Sequence, residues 1–387
     1  MTQNMNFDSS TMRQLLAVVL ALLLLCAKPV AAQTATPPQE TSSTGPISGY
    51  MDFHFNKEEG QDGVLDFHRF VLLINHSFSS NLRFVGELEL EHALVEGLEE
   101  KGEIELEQAY LDFLLKREFN LRAGMVLMPI GIINERHEPP VYQGVERPFV
   151  DTVIIPTTWF EGGAGVHGEL WRGIRYRGYV TAPLNALEFS ADEGIREGRQ
   201  QGSESNVGSP ALTGRVEYVG TRNLVLGVSG WRGKSNFSLP RLTTTVGVAE
   251  FDARYRHRRL ELRGEFARVG ISDAANLNDA IARLTGVSPN VAEGLQGFYG
   301  EAAYRVWAAG SPRDLVAFVR YENFDTQHRM PAGFIPLKEF DRDAWVFGLT
   351  YYPDPDIAVK ADFVQLRNQS NVVKSRNSFN VGLGWWF

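Results

Sequence analysis

Residues able to do chemistry are few in this chain, but their spacing is informative. Gly163-x-Gly165-x-x-Gly168 matches a dinucleotide fingerprint letter by letter, yet that fingerprint requires a helix to open after the glycines. No helical period follows, and the segment 159–171 alternates as a strand does, so these glycines read as relief of crowding in a sheet. His68 and His76 fall at the same parity of one alternating segment, and His137 stands beside Glu138 without a second histidine at helical spacing. Neither makes a ligand set, so no metal and no cofactor is expected. There is no Gly-x-Ser-x-Gly elbow, and the serines, histidines and acids of a hydrolytic triad are scattered.

Charge is what does recur. Arg83, Arg122, Arg175, Arg177, Arg215, Arg254, Arg263, Arg305 and Arg320 project at alternate positions, with Glu87, Glu217, Asp252, Glu261, Glu265, Glu301 and Glu322 among them. A further set, Asn134, Glu135, Arg136, His137, Glu138, Glu146, Arg147 and Asp151, sits in one unusual stretch, 128–158, otherwise rich in Ile, Val, Pro and aromatics. Such side chains can steer and sieve hydrated ions.

Alternation with a period of two supplies the elements that would hold them. Leu82, Phe84, Leu88 and Leu90 alternate with Arg83, Val85, Glu87 and Glu89, and Ile174, Tyr176, Gly178 and Val180 alternate with Arg175, Arg177, Tyr179 and Thr181. Sixteen strands are predicted: 47–55, 65–78, 81–92, 103–115, 119–128, 159–171, 173–182, 210–219, 222–232, 243–256, 259–269, 295–308, 313–324, 340–353, 356–367 and 375–387. The connections alternate between short polar turns and long loops, 56–64, 93–102, 129–158, 183–209, 233–242, 270–294, 325–339 and 368–374. Two strands are impure. In "LDFHRFVLLINHSF" neither face is clean, and in 103–115 the carboxylates Glu103, Glu105 and Glu107 share a parity with apolar Leu111 and Phe113; contacts between subunits or with the inserted loop, or a slip of register, would account for this.

Arg13, the apolar run Leu15 to Ala27 and the small residues Val30, Ala31 and Ala32 read as a secretory signal, 1–32, cut before Gln33. Leu25 before Cys26 departs from a lipoprotein site, so no lipid anchor is expected. The sole cysteine leaves with the signal, which removes disulfides, thiolate catalysis and Cys-bound metal. A polar, Pro/Ser/Thr-rich lead-in spans 33–46. Beyond the signal, apolar runs are too short for a helical span of about eighteen residues or more, and a net charge of −9 argues against a nucleic-acid partner.

The chain closes on "NVGLGWWF", with Phe379, Val381, Leu383, Trp385 and Phe387 on one wholly apolar face. Lipid offers no water to unpaired backbone groups, so a spanning sheet must close on itself. An even number of antiparallel strands, trimmed turns at one end and long loops at the other describe an all-β, closed antiparallel transmembrane barrel of about 16 strands over 47–387. Its last strand would pair with its first and present its aromatics to lipid. The apolar content of 128–158, the third of the long loops, predicts that it folds into the lumen as a constriction; a cap over the mouth is the other reading.

"LRAGMVLMPIG", Leu121 to Gly131, entering a long third loop, together with the closing aromatic strand, resembles the bacterial porin superfamily, most nearly the phosphate-selective porin O and P group. That resemblance implies a sixteen-stranded, usually trimeric channel of the outer membrane of a Gram-negative-type bacterium, in which an arginine and lysine ladder guides anions. The terminal strand would be read by the outer-membrane assembly machinery. The carboxylates among the arginines predict a mixed field instead, so phosphate guidance is not carried over. Passive diffusion of small hydrophilic solutes or ions is the function this implies, not an enzyme activity. A barrel enzyme of lipase or protease type, or a secreted soluble β binding protein, is the alternative.

Overall fold

The computed structural model describes residues 46–92, 102–235, 242, 244–308 and 314–387. The signal segment 1–32 and the lead-in to residue 45 lie outside the described residues, as do the turn 309–313 and parts of the connections 93–102 and 233–242.

Sixteen strands are found among the described residues: β1 (Ile47–Glu58), β2 (Val64–Ser79), β3 (Leu82–Glu91), β4 (Ile104–Lys116), β5 (Phe119–Leu127), β6 (Phe160–Leu170), β7 (Ile174–Thr181), β8 (Ala211–Tyr218), β9 (Leu224–Lys234), β10 (Thr245–His257), β11 (Leu260–Ile271), β12 (Gly294–Ala308), β13 (Asp314–Arg329), β14 (Asp341–Asp354), β15 (Ile357–Asn368) and β16 (Asn377–Trp386). Each pairs antiparallel with its sequence neighbours, and β16 returns to β1, giving a closed barrel with no free edge. Closure runs from Tyr50 opposite Trp386 to Glu58 opposite Ser378, and the Gly49 and Phe387 backbones exchange two hydrogen bonds of 2.9 Å. The terminal ring stacks on Phe70 at 5.8 Å.

Register sorts the two faces. On β10, Phe251 lies between Val228 and Phe266, and the next residue, Asp252, lies between Gly227 and Glu265. Phe251 is 48% exposed and Asp252 is fully buried. The apolar face looks outward around the ring, as lipid requires, because a cation at the bilayer midplane costs about 2–4 kcal/mol there.

The two impure strands have a local cause. Between Asp52/Arg69 and His54/Asp66 the β1–β2 register slips by one residue of β2. Between Glu87/Gln108 and Leu88/Leu106 it slips by one residue of β4, leaving Glu107 as the extra residue. Each β-bulge reverses the parity of its strand, so β4 keeps Ile104, Leu106, Leu111 and Phe113 on one face and its carboxylates on the other. The same reversal corrects the reading of the histidines: His68 stacks on His54 at 4.6 Å, and His76 sits against Phe78 on the opposite face.

Two connections differ from the sequence reading. β1 runs on to Glu58, so the turn 59–63 is no longer than 219–223 at the other end. Within 272–293 an unforeseen helix, α1 (Ala274–Thr285), buries Ala274, Leu277 and Ile281 and ends at Gly286, which takes φ +81°. Where β5 leads toward the long third loop, Gly124 adopts φ +137°, and a Cβ there would lie 2.2 Å from the Ala109 carbonyl oxygen on β4. Gly124→Val is therefore expected to cost about 1–3 kcal/mol, read as a lower urea midpoint for tryptophan fluorescence of the detergent-folded barrel; an unchanged midpoint would contradict this strain.

Candidate functional site

The third loop, residues 128–159, is tied at its neck. Met128 N donates to the Trp159 carbonyl at 2.9 Å, and the buried Asn134 side chain spans the same gap. Its Nδ2 donates to the Met128 and Trp159 carbonyls at 2.7 and 2.8 Å, and its Oδ1 accepts from Trp159 N at 2.7 Å. An amide with both donors and its acceptor used holds the two ends as one unit. Beyond the neck, Met128, Ile130, Ile133, Val150, Ile154 and Ile155 are buried in a core that takes in Trp231, Val269, Leu277 and Leu295.

From there the loop is bonded to the charged face of strands far around the ring. Ile132 N donates to Glu265 Oε2 on β11 at 3.3 Å and Val150 N to Glu322 Oε2 on β13 at 3.1 Å. Arg320 of β13 and Lys360 of β15 donate to the Gln143 and Gly144 carbonyls at 3.0 and 2.7 Å. Thr350 of β14 reaches Gln143 Oε1 at 2.7 Å, and Asp362 of β15 accepts from Val145 N at 2.6 Å. Sequence reasoning missed these anchors. Lys360, Thr350 and Asp362 look like any alternating polar residues until the loop backbone arrives beside them.

The eight loop residues singled out in the sequence separate into two groups. Arg136 is exposed, and Glu135, Glu138, Glu146 and Arg147 are partly so. Glu135 pairs with Arg177 at 2.8 Å, Glu146 accepts from Asn56 at 2.7 Å, and Arg147 donates to Thr158 Oγ1 at 3.0 Å. Asn134, His137 and Asp151 depart from the expected exposure to water: they are at most 2% exposed. Asn134 is used at the neck, and Asp151 is a buried residue within the turn Val150–Ile154. His137 Nδ1 donates to the Asn134 carbonyl at 3.1 Å, and its Nε2 faces Glu107 Oε2 at 3.0 Å and Glu87 Oε1 at 3.6 Å. Burial opposes charge on this ring, but Glu107 and Glu87 more than offset it and hold His137 well above its ordinary pKa. Burial, reinforced by the Glu322 and Glu250 carboxylates, likewise pushes Asp151 well above the usual carboxylate range.

The nine wall arginines lie on the charged face, each beside an acid. Arg83 and Arg122 share Asp112 at 2.9 Å each. Arg177 and Arg254 each reach Glu217 at 3.1 Å. Arg215 is enclosed by Glu217, Glu250 and Asp252, Arg263 by Glu261 and Glu301, and Arg320 by Glu301 and Glu322. Arg175 meets Glu169 at 3.5 Å and Arg305 meets Asp314 at 3.0 Å. Paired in this way, they carry little unbalanced positive field.

These features define a closed, sixteen-stranded antiparallel transmembrane barrel. The outer membrane channel DcaP of Acinetobacter baumannii shares this fold, with a TM-score of 0.60 and 12% identity over 88% of this chain and 96% of that one. So does an anion-selective porin from Comamonas acidovorans, with a TM-score of 0.57 and 12% identity over 88% and 98% of the two chains. No protein-family model matches the sequence. The chain belongs to one family with an uncharacterized protein of Aquifex aeolicus (strain VF5), to which it is 35% identical over 356 residues, covering 88% of this chain and 79% of the relative.

Asp151 yields a test whose sign is fixed by its raised pKa. A carboxyl that keeps its proton in the folded state gives stability that is full below the unfolded pKa, near 4, and is lost as pH rises through the folded value, at up to about 1.4 kcal/mol per pH unit. Asp151→Asn, a neutral isostere, is expected to match wild type in urea midpoint at pH 4 and to exceed it progressively toward pH 8. A variant that loses stability at pH 8 would show that the ionised form is the one the fold uses.

Proposed function

We propose that the protein is an outer-membrane diffusion channel for small hydrophilic solutes or ions, with the third loop folded into the lumen as its constriction. The observation that carries this reading is the set of hydrogen bonds from loop 128–159 to the charged faces of β11, β13, β14 and β15, strands far around the ring from the β5 and β6 that bear it. A segment hung on one side of a closed barrel and bonded to the charged face of the other side is best accommodated within it. A barrel of sixteen strands is wide enough to leave water beside such an insert.

An outward apolar wall favours this over a secreted soluble binding protein, which would have to hide Phe251, Phe347, Leu349 and Phe379, all more than 40% exposed. The paired arginines favour a filter with little preference for the sign of charge, so phosphate is not named as its solute. A homotrimer, as the porin resemblance implies, and recognition of β16 by the assembly machinery belong to the same reading.

Purified protein in a planar bilayer is expected to give stepwise conductance, and electrically silent membranes holding folded barrel would overturn the proposal. Asn134→Ala releases the neck: the Trp159 N–H loses its acceptor, at about 1–3 kcal/mol, while the Met128 and Trp159 carbonyls each lose one of their two donors. It is expected to raise single-channel conductance or its open-state noise; identical traces would remove the loop from the ion path. In a salt gradient the wild-type reversal potential is expected to lie close to zero, and Arg136→Glu to move it toward cation preference. A potential unmoved by that reversal of charge would place Arg136 away from the narrowest point.

A further inference from the structure

Among the described residues, two groups of side chains bring three potential ligand atoms within 4.8 Å of one another: Asp66, His68 and His92 near the long-loop end, and Glu87, Glu107 and His137 where the third loop meets the wall. Proton positions tell them apart. At the rim, His68 Nε2 faces Arg69 Nη2 at 2.6 Å. A guanidinium can only donate, so that nitrogen is the acceptor and Nδ1 carries the proton that points to Asp66 Oδ2 at 3.1 Å. His68 thus has no lone pair left for an ion shared with Asp66 and His92.

The buried trio has the opposite polarity. His137 Nδ1 is held 3.1 Å from the Asn134 carbonyl, which can only accept, so Nδ1 bears the proton and Nε2 is turned to the two carboxylates. A ring fixed by an N–H to a backbone carbonyl is the usual support of a metal-bound imidazole. Glu87 is supported as well: Tyr50 Oη donates to its Oε1 at 3.2 Å and Gln108 Nε2 to its Oε2. Glu107 is the extra residue of the β4 bulge, which turns its carboxylate toward the loop.

Spacing and charge agree with this polarity. Nε2 stands 3.0 and 3.6 Å from the two carboxylate oxygens; donors about 2.0–2.2 Å from one ion lie about 3.0–3.6 Å apart. Glu87, Glu107 and His137 are each at most 3% exposed. The nearby Arg69 is engaged by Asp52 at 3.4 Å, Glu89 at 3.7 Å and Glu91 at 3.8 Å. Two buried carboxylates thus share one imidazole, and even its protonated form leaves a negative charge over. A divalent ion with a neutral ring balances the site.

We propose that Glu87 Oε1, Glu107 Oε2 and His137 Nε2 bind one divalent transition-metal ion of the zinc type, which fastens the third loop to β3 and β4. Binding displaces a proton from Nε2 when the ring is charged, and water completes the coordination. One nitrogen and two carboxylates suit zinc or manganese better than the softer copper(I). The assignment does not depend on conduction.

The test uses the detergent-folded barrel dialysed against buffered Zn²⁺, with bound zinc measured by elemental analysis and folding verified by heat-modifiable migration. Wild type is expected to hold one zinc per chain, His137→Gln and Glu107→Gln to bind at least about tenfold more weakly, and His92→Gln to match wild type. Zinc retained by His137→Gln, or lost only in His92→Gln, would overturn the assignment, as would a wild type that binds none. Should the loop variants fail to fold, X-ray absorption of zinc-loaded wild type decides: scattering from one imidazole with oxygen neighbours supports the site, and from two imidazoles it refutes it. A barrel that takes up zinc but carries no current would leave this site standing and remove only the channel reading.

Discussion

The constraint on which this molecule rests is that a sheet facing hydrocarbon has nowhere to leave an unpaired backbone group. Everything regular in the fold follows from meeting it. The ring closes through Gly49 and Phe387 at the β1–β16 seam, where a Cβ on residue 49 would collide with both the Val71 carbonyl and the terminal ring. Each strand must also keep apolar side chains outward while its neighbours do the same. A slip of one residue in any pairing would turn Asp252 or Arg215 toward lipid and Phe251 or Val216 toward the charged face.

The bulges show how tightly that rule is kept. β2 and β4 each break their own alternation, and each is repaired by one extra residue that reverses parity at the break. The departure is therefore local, and the outer wall stays apolar across it. At β4 the extra residue is Glu107, which is also the wall group that meets His137 of the third loop. A device that preserves the lipid face thus doubles as the point where the loop is docked.

Against the charged face, the same logic appears with charge in place of hydrophobicity. Arg215, Arg263 and Arg320 are nearly inaccessible, and each is surrounded by two or more carboxylates, since a buried guanidinium without such partners would cost several kcal/mol. The loop takes part in this balance by lending backbone donors to Glu265, Glu322 and Asp362 and carbonyls to Arg320 and Lys360. Loop and wall are consequently one polar network, resting on the apolar core around Ile130, Ile154 and Trp159.

Alternation, the even strand count, the long third loop and the aromatic closing strand were legible in the amino-acid order, because lipid and water impose opposite demands on adjacent residues and leave a period of two. The excess of Ile, Val and aromatics in 128–158 likewise announced a segment that buries itself. The helix Ala274–Thr285 was missed although Ala274, Leu277, Ile281 and Leu284 recur at helical spacing, because it is short and lies inside a connection bounded by turn-forming residues. Two kinds of fact were decided only in three dimensions. Where a bulge resets parity depends on the partner strand, so Glu107 and His68 could not be placed on a face from their own segments. Which loop atoms meet Glu87, Lys360 or Asp362 depends on contacts between residues up to 217 positions apart, and a one-dimensional period carries no information about such distances.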